Sequence, residues 1–330
     1  MNFLILSAGR RTKLVEYFVK EFKGFGKIIA TDCDSLAPAL YFADKGYIVP
    51  RIDSDNYIDR IKEICKKENI KGLISLIDPE LSLISKHEIE FKKLGVTCFL
   101  SPHDITETCF NKYHMFKFLE ENCFNTAKSY IDFDEFKKDY KNKKIEFPVF
   151  VKPVCGSASI DTKKVNTLEE LEFLINKYSN LFIQEFLEGK EIGVDVYTDM
   201  ISGEVISIFA KEKIRMRAGE TDKSKSIKCS RLFSLIKDFV EKLGTKGPID
   251  IDVFKVNDEY YISEVNPRFG GGYPHAYECG ENFINLIKNN LFGIVNKINI
   301  GNYLEDIYAV KSDILSIINN NELIKFEGDI

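Results

Sequence analysis

The feature that most constrains this chain is a pair of short segments that carry acidic residues at alternate positions. Residues 249–254 read Ile-Asp-Ile-Asp-Val-Phe, and residues 260–268 read Tyr-Tyr-Ile-Ser-Glu-Val-Asn-Pro-Arg. Apolar and polar residues alternate in both segments, which is typical of β-strands with one buried face. Asn257 and Asp258 between them favour a turn. The sequence therefore predicts a β-hairpin.

The pairing of these two strands decides which side chains share a face. A loop centred on Asp258 places Asp252 opposite Glu264 and Asp250 opposite Asn266. A two-residue turn would shift this register by one, and a bulge would restore it. Three carboxylates and an amide oxygen then crowd one face, which is costly unless a cation neutralises them. Oxygen ligands suit Mg²⁺, so a metal site is indicated; a solvent-exposed hairpin face is the alternative on these residues alone.

Composition excludes several classes of protein. A length of 330 residues exceeds one typical core, so two or three lobes are expected. The net charge is −5, and basic residues are interspersed with acidic ones, which argues against an extended nucleic-acid surface. The eight cysteines are scattered like reduced thiols, no apolar run reaches the length of a membrane span, and residues 1–6 lack a basic leader. We expect a cytoplasmic protein that binds neither nucleic acid nor membrane.

The first part of the chain alternates strands and helices. Residues 3–6 and 27–32 form strands on either side of a helix, as in half of a Rossmann-type domain. The turn after the first strand lacks G-x-G-x-x-G, so a dinucleotide site is poorly supported. Arg10 and Arg11 there either hold a carboxylate or phosphate or are plain surface arginines. The alternation continues to about residue 100 and predicts a parallel sheet covered by helices.

Four local features lie outside the hairpin. Residues 78–80, Asp-Pro-Glu, are expected to cap a helix, and residues 106–121 to form one helix that carries Lys112. Residues 211–228 are rich in Lys and Arg and poor in large apolar side chains, which predicts a mobile loop. The fourth group follows the glycine run and either shapes a substrate pocket or belongs to a packed loop with an exposed histidine: Tyr273, His275, Tyr277 and Glu278.

Groups suited to a nucleotide occur in order along the rest of the chain. Lys152 ends a buried strand and precedes Gly156, Ser157, Ala158 and Ser159, whose small side chains let backbone amides face phosphate oxygens. The spacing is not that of a P-loop, and a plain hairpin loop is the alternative for this segment taken alone.

Lys112, Gln184 and Glu191 are ambiguous one by one. Lys112 alone reads as a solvated helix residue. Gln184 and Glu191 suit the adenine amino group and ribose hydroxyls, or are polar groups at a sheet edge. Order and spacing together favour a single Mg²⁺–nucleotide site, because two lysines, a small-residue loop, a polar pair and an oxygen-rich hairpin follow one another.

Three motifs resemble those of ATP-grasp proteins, in the branch of carbamoyl-phosphate synthase large-subunit domains and short carboxylate–amine ligases. They are residues 150–153 with 156–159, residues 184–191, and residues 263–268. The resemblance implies an α/β, overall α+β, ATP-grasp fold with a Rossmann-like pre-ATP-grasp domain. The implied boundaries are residues 1–101 for that domain, 102–183 for the central subdomain and 184–330 for the C-terminal subdomain.

The resemblance also implies a role for each matching residue. Lys112 and Lys152 would contact the phosphates, under a loop of Gly156, Ser157, Ala158 and Ser159. The adenine edge and ribose would be lined by Gln184, Glu185, Leu187 and Glu191. One or two Mg²⁺ or Mn²⁺ ions would be held by Asp252, Glu264 and Asn266. Arg268 would stabilise negative charge on the transferred phosphoryl group or on the tetrahedral intermediate. The segment of residues 211–228 lies where related enzymes place phosphate- and substrate-contacting catalytic groups: Lys213, Arg215, Arg217 and Glu220.

The function implied by the resemblance is an ATP- and Mg²⁺-dependent ligase. It would activate a small carboxylate, such as an amino acid, as an acyl phosphate and join it to an amine. Its partners would be these small molecules, and a homodimer is implied by resemblance alone. The alternatives are an ATP-dependent carboxylase, a kinase-like enzyme acting on a carboxylate, and a regulatory protein that binds ATP without turnover.

Overall fold

A parallel sheet forms the N-terminal lobe of the computed structural model, which describes residues 1–156, 162–217 and 219–325. Its strands are β1 (Asn2–Leu6), β2 (Ile28–Asp32), β3 (Lys45–Ile48), β4 (Ile70–Ser75) and β5 (Thr97–Cys98). Its helices are α1 (Thr12–Phe22), α2 (Tyr57–Lys67), α3 (Asp78–Lys86) and α4 (Glu88–Lys93), with a 3-10 helix at Pro38–Phe42. The strand order β3-β2-β1-β4-β5 confirms the Rossmann-like prediction.

Burial explains why these strands read as continuous apolar runs. Residues 3–6 in β1 have no exposed surface, because helices cover both faces of the parallel sheet. The residue after β1, Ser7, has a φ of +48° and turns the chain toward α1. Glu80 is buried here and accepts hydrogen bonds from Ser7, Ser75 and Tyr57. The carboxyl ends of β1 and β4 are thereby joined around one carboxylate.

The predicted cap at residues 78–80 is wrong. Asp78 is already helical in α3, and no side chain caps this helix. The Asp78 carboxylate instead reaches across the lobe boundary to Arg268. Local sequence could not reveal this contact, because the two residues are separated by 190 positions.

The middle of the chain forms a small four-stranded sheet, in the order β6-β9-β7-β8. It contains α5 (His103–Phe110), α6 (Lys112–Glu121), β6 (Ser129–Tyr130), α7 (Phe133–Lys141), β7 (Val149–Pro153), β8 (Lys163–Val165), α8 (Leu168–Lys177) and β9 (Leu181–Glu185). The single helix predicted over residues 106–121 is wrong. Asn111 ends α5 and caps α6, since its side chain accepts hydrogen bonds from the amides of Tyr113 and His114. The break places Lys112 at the first residue of α6.

The C-terminal part is built on a six-stranded antiparallel sheet, in the order β14-β13-β10-β11-β12-β15. Its elements are β10 (Lys190–Thr198), β11 (Val205–Arg217), β12 (Glu220–Ile227), α9 (Ser230–Leu243), β13 (Gly247–Val256), β14 (Glu259–Asn266), α10 (Tyr273–Glu278), α11 (Phe283–Leu291) and β15 (Tyr308–Val310). One face packs its apolar side chains against α9. Alternate residues place charged and polar groups on the opposite face: Glu191, Asp195, Lys211, Lys213, Asp250, Asp252, Glu264 and Asn266.

The register of the acidic hairpin agrees with the sequence prediction. Asp252 pairs with Glu264 and Asp250 with Asn266. Asn257 and Asp258 both have positive φ, as in the type I′ turn that joins two strands with two residues. An irregularity between Asp252 and the next residue restores the register that this short turn would otherwise shift.

The prediction of a mobile loop over residues 211–228 is wrong. Residues 211–217 belong to β11 and residues 220–227 form β12; the two strands are paired from Ala210 with Ile227 to Arg217 with Glu220. Two lysines of this segment are buried in the sheet because carboxylates neutralise their charge. Lys211 forms a buried ion pair with Asp195, and Lys213 forms ion pairs with Glu191 and Asp252. Burying a charge is costly unless a partner compensates it, and those partners lie on other strands.

The residues after the glycine run are packed between the two lobes. Tyr277 stacks on Tyr17 of α1, with ring centroids 3.8 Å apart, and Tyr273 is buried. His275 is buried as well, between the Ser224 hydroxyl and the carbonyl of Ile307, and burial lowers its pKa to about 4. The packed loop of the second prediction is therefore confirmed, but the exposed histidine is wrong. No helix among the described residues has both the length and the apolar character needed to cross a bilayer.

Glu281 is a buried carboxyl group whose protonation should influence stability. One of its oxygens accepts a hydrogen bond from Ser207, and the other has no partner. Burial raises its pKa from 4.5 to about 7. Because the folded pKa is the higher one, the stabilisation is complete below pH ~4.5 and is lost as the pH rises through ~7. The loss is on the order of 3 kcal/mol.

We expect Glu281→Gln to remove this loss. As the pH rises from 5.5 to 8, the free energy of unfolding by urea should decrease more for the wild type than for the variant. The difference between the two decreases is the contribution of Glu281. Glu305→Gln, at an exposed residue of the same region, should retain the wild-type slope. Parallel pH profiles for the wild type and Glu281→Gln would show that this carboxyl group does not titrate as described.

Candidate active site

A cleft of about 390 Å³ lies between the small four-stranded sheet and the polar face of the six-stranded sheet. Most residues predicted to bind the nucleotide and metal line it: Lys112, Lys152, Gly156, Gln184, Glu185, Leu187, Glu191, Asp252 and Glu264. Ser157, Ala158 and Ser159 lie outside the described residues. The structure thus brings together groups that are spread over 150 positions of sequence, from Lys112 to Glu264.

Two lysines supply the positive side of the cleft. Lys152 is only 9% exposed, and within the described residues its ammonium group has no hydrogen bond or ion pair. The Lys112 ammonium group donates to the carbonyl of Gly156 at 2.5 Å. Burial lowers the pKa of both lysines, while Glu264 acts in the opposite direction. An unpaired buried ammonium group is costly, so this end of the cleft is suited to an anion.

Strand geometry explains how Lys152 reaches the cleft. Val149 and Val151 of β7 face the core of the small sheet, so Phe150 and Lys152 face the opposite way. On β13, Phe254 lies two residues after Asp252 and faces the same side of the sheet. Phe150 and Phe254 line the cleft and give it apolar walls. Sequence analysis missed both phenylalanines, although their spacing of two residues from a predicted site residue was the available signal.

The groups expected at the adenine edge are held by neighbouring residues. Gln184 is buried and donates to the hydroxyl of Ser129 at 3.2 Å. Glu185 accepts a hydrogen bond from the backbone amide of Lys128 at 3.1 Å. Both side chains are therefore fixed in position without a ligand, at the end of the cleft beside Leu187.

The negative side of the cleft is the acidic hairpin. Asp252 accepts a hydrogen bond from Lys213 at 2.5 Å, and the same ammonium group contacts Glu191 at 2.8 Å. Burial raises the pKa of Asp252, against the effect of Lys213. Glu264 has no hydrogen bond or ion pair among the described residues. Lys213, expected near the transferred phosphoryl group, is thus a bridge between two site carboxylates.

The donor set fits Mg²⁺ when phosphate oxygens complete it. In residues 1–156, 162–217 and 219–325 there is no group of three or more His, Cys, Asp and Glu side chains that could hold a metal ion. Mg²⁺ in nucleotide sites commonly uses one or two carboxylates together with phosphates and water. Glu264, Asp252 and the Asn266 amide oxygen would supply that protein share.

Arg268 connects the hairpin to the N-terminal lobe. Its Nε and Nη2 atoms donate to one oxygen of Asp78, at 3.2 and 2.9 Å, and Asp250 lies 3.9 Å away. Burial by itself would lower the pKa of Arg268. The negative charges of Asp78 and Asp250 outweigh the effect of burial, and the pKa of Arg268 is raised. The second oxygen of Asp78 is buried without a partner. Asp78 and Asp250 therefore hold Arg268 in position, whereas the sequence predicted a helix cap for the first and did not place the second among the metal ligands.

The glycine run provides room for charged side chains. A Cβ atom on Gly270 would collide with the Asp250 carboxylate, and one on Gly271 would lie 2.9 Å from both Arg11 and Glu220. Arg11 is one of the two N-terminal arginines for which the sequence allows either an anion site or a surface position. Its guanidinium lies 3.7 Å from Glu220 and makes no hydrogen bond among the described residues.

Three other arginines, one in the loop after β1 and two at the end of β11, are more exposed. Arg10 is exposed. Arg215 is also largely exposed and lies 4.0 Å from Asp222, and it is not among the residues that line the cleft. Arg217 pairs with Asp222 and with Asp313.

Comparison with known proteins agrees with this architecture. Residues 3–99 match the family model of the PylC-like N-terminal domain, and residues 109–272 match that of the ATP-grasp domain. A protein of Methanobrevibacter smithii named carbamoyl-phosphate synthase is 26% identical over 315 residues, which cover 90% of this chain and 82% of that protein.

Two further comparisons cover different shares of the chain. A D-alanine–D-alanine ligase of Francisella philomiragia is 32% identical over 139 residues, which are 38% of this chain and 46% of the ligase. The biotin carboxylase domain of Hydrogenobacter thermophilus 2-oxoglutarate carboxylase, solved with MgADP, ADP and bicarbonate, has a TM-score of 0.74 at 16% identity. That superposition covers 93% of this chain and 73% of the carboxylase domain. The chain therefore contains an ATP-grasp domain, preceded by a PylC-like N-terminal domain.

Proposed function

We propose that this protein is an ATP- and Mg²⁺-dependent ligase that activates a small carboxylate as an acyl phosphate and joins it to an amine. The observation that carries the proposal is the division of charge in the cleft. The unpaired ammonium group of Lys152 faces Glu264 across a space large enough for a nucleotide. A polyphosphate would neutralise the lysines, and Mg²⁺ would neutralise the carboxylates.

Each side of the cleft has its own task in this reaction. Gln184, Glu185 and Leu187 would bind the adenine edge, while Lys112 and Lys152 would position the phosphates for in-line attack by the substrate carboxylate. Bound Mg²⁺ would withdraw charge from the phosphate oxygens. Arg268 would stabilise the negative charge that develops at the carboxylate, because Asp78 and Asp250 hold it in place before the substrate arrives.

The relatives support this class of reaction and leave the substrate open. D-alanine–D-alanine ligase joins two amino acids by name, whereas the carboxylase domain was solved with bicarbonate. Bicarbonate activation is therefore the second candidate. No protein nucleophile is required in either case, since the substrate oxygen attacks the phosphate itself.

A screen of ATP-dependent phosphate release tests the proposal. The purified protein would be incubated with ATP, Mg²⁺ and a panel of amino acids and other carboxylates, each with and without amines, and with bicarbonate. We expect release that requires a particular carboxylate, and hydroxamate formation when hydroxylamine replaces the amine. Release that depends on bicarbonate alone would favour the carboxylase. Tight ATP binding without release in any mixture would contradict both and favour a regulatory protein.

A further inference from the structure

The C-terminal segment crosses from the edge of the six-stranded sheet to the N-terminal lobe. After β15, which pairs with β12, the amide of Lys311 donates to the carbonyl of Asp222. At the other end, the amide of Ile324 donates to the Tyr41 hydroxyl at 3.3 Å, and its side chain contacts Gly46 and the apolar core of that lobe. Residues 311–324, called the strap below, therefore join the two bodies that enclose the glycine run.

Ion pairs lead from the strap into the candidate site. Lys311 contacts Glu220 at 2.8 Å, and Glu220 lies 3.7 Å from Arg11. Glu220 and Arg11 both approach Gly271, directly after the Arg268 segment. Three elements thus meet beside the glycine run: the β11–β12 hairpin, the loop after β1, and the strap.

The strap is held weakly along its length. Lys311 and Glu220 are each about one-third exposed, and the pair of Arg217 with Asp313 is more exposed still. Exposed ion pairs contribute little free energy and are screened by salt. Leu315 and Ile317 are 84% and 80% exposed, so packing adds little between the two ends. A segment fixed at its ends and loosely held between them can open at low cost.

We propose that the strap opens and closes over the Arg11–Glu220 pair beside the glycine run, and that Lys311 is the positioning residue that sets Glu220 against Arg11. Its role in admitting the non-nucleotide substrate rests on the proposed function. Within the described part of the chain, no hydrogen bond or ion pair joins the strap to a residue expected to bind ATP, so the nucleotide would bind whether the strap is open or closed.

Hydrogen exchange of the full-length protein tests the mechanical part of this proposal without any substrate. Lys311→Met should speed exchange of the backbone amides of Met216, Arg217 and Thr221 about fivefold, as expected when one exposed ion pair is lost. Ile324→Ala, which releases the other end, should act in the same direction. In about 1 M salt, the wild type should approach the Lys311→Met rate, because screening then acts within about 3 Å.

A matched control separates the strap from general loosening of the sheet edge. Lys225 forms an ion pair with Asp306 at 2.6 Å and is as exposed as Lys311, but it does not lead to Arg11. Lys225→Met should leave those amides unchanged. Equal effects of Lys225→Met and Lys311→Met, or no effect of Lys311→Met, would overturn the proposal.

Kinetics test the role in substrate binding once the screen has found a substrate. Lys311→Met should raise KM for the non-nucleotide substrate about fivefold, with kcat and the KM for ATP unchanged, and Lys311→Arg should restore it. A change in kcat, or an equal rise in both KM values, would contradict a positioning role. If the screen finds no turnover, the exchange experiment still decides whether the strap exists as described.

Discussion

Replacing Lys152 with Met is expected to weaken ATP binding about 100-fold, which corresponds to the loss of a charged hydrogen bond and its long-range attraction. The same change should make the ligand-free protein more stable, by about 1 kcal/mol, because an unpaired ammonium group is no longer buried. Few substitutions affect binding and stability in opposite directions. The reason here is that, within the described residues, the Lys152 ammonium group has the Phe182 ring 5.6 Å away but no hydrogen bond or ion pair until an anion arrives. Calorimetric titration with ATP and urea unfolding without ATP measure the two effects.

Lys117→Met is the matched control. Lys117 lies on α6 after Lys112, but it is 45% exposed and pairs with Glu120 at 3.0 Å. Its removal should change neither ATP affinity nor stability appreciably, as for most surface positions. If Lys152→Met weakens ATP binding and also destabilises the ligand-free protein, then Lys152 is part of the fold, and the assignment of a phosphate site loses its main support.

Replacing Glu264 with Gln should lower turnover by a factor on the order of 10² to 10³, the usual effect of removing one preorganised charged group from a reacting centre. Its effect on binding should depend on the metal. Without Mg²⁺, the variant should bind ATP at least as tightly as the wild type, because a carboxylate no longer repels the phosphates. With Mg²⁺, only the wild type should gain affinity. Titrations with ATP in EDTA and in Mg²⁺ would show this reversal.

Glu259→Gln provides the comparison on the same strand. Glu259 is 53% exposed and pairs with Arg231 at the far end of β14. It should keep the metal dependence of the wild type. A Glu264→Gln variant that still gains ATP affinity from Mg²⁺ would rule out Glu264 as a metal ligand and leave the acidic hairpin with a structural role.

The sequence predicted those parts of the molecule that depend on local periodicity. The alternation of polar and apolar residues predicted that Asp250 and Asp252 share one face. It also followed that a two-residue turn at Asn257 and Asp258 requires a bulge, and the structure has both. The parallel N-terminal sheet followed from continuous apolar runs such as residues 3–6. These patterns reflect steric rules that act within a few residues, so they can be read without a structure.

Contacts between distant strands could not be predicted in this way. Residues 211–228 look like a mobile loop because Lys211 and Lys213 appear unpaired in sequence. Their partners, Asp195 and Asp252, become neighbours only when three strands, β13, β10 and β11, assemble. The same holds for Asp78 and Arg268, which belong to different lobes. Pairs of this kind depend on the order of strands in the sheet.

The three glycines at residues 270–272 lie where several elements of the molecule meet. The atoms that would collide with a Cβ at residues 270, 271 and 272 belong to β13, to the loop after β1 together with β12, and to β11. A larger residue here could not be accommodated by one local adjustment, because each position faces a different element. We therefore expect a new substrate preference in this scaffold to arise by substitution of the charged side chains around residues 270–272, while these three positions remain glycine.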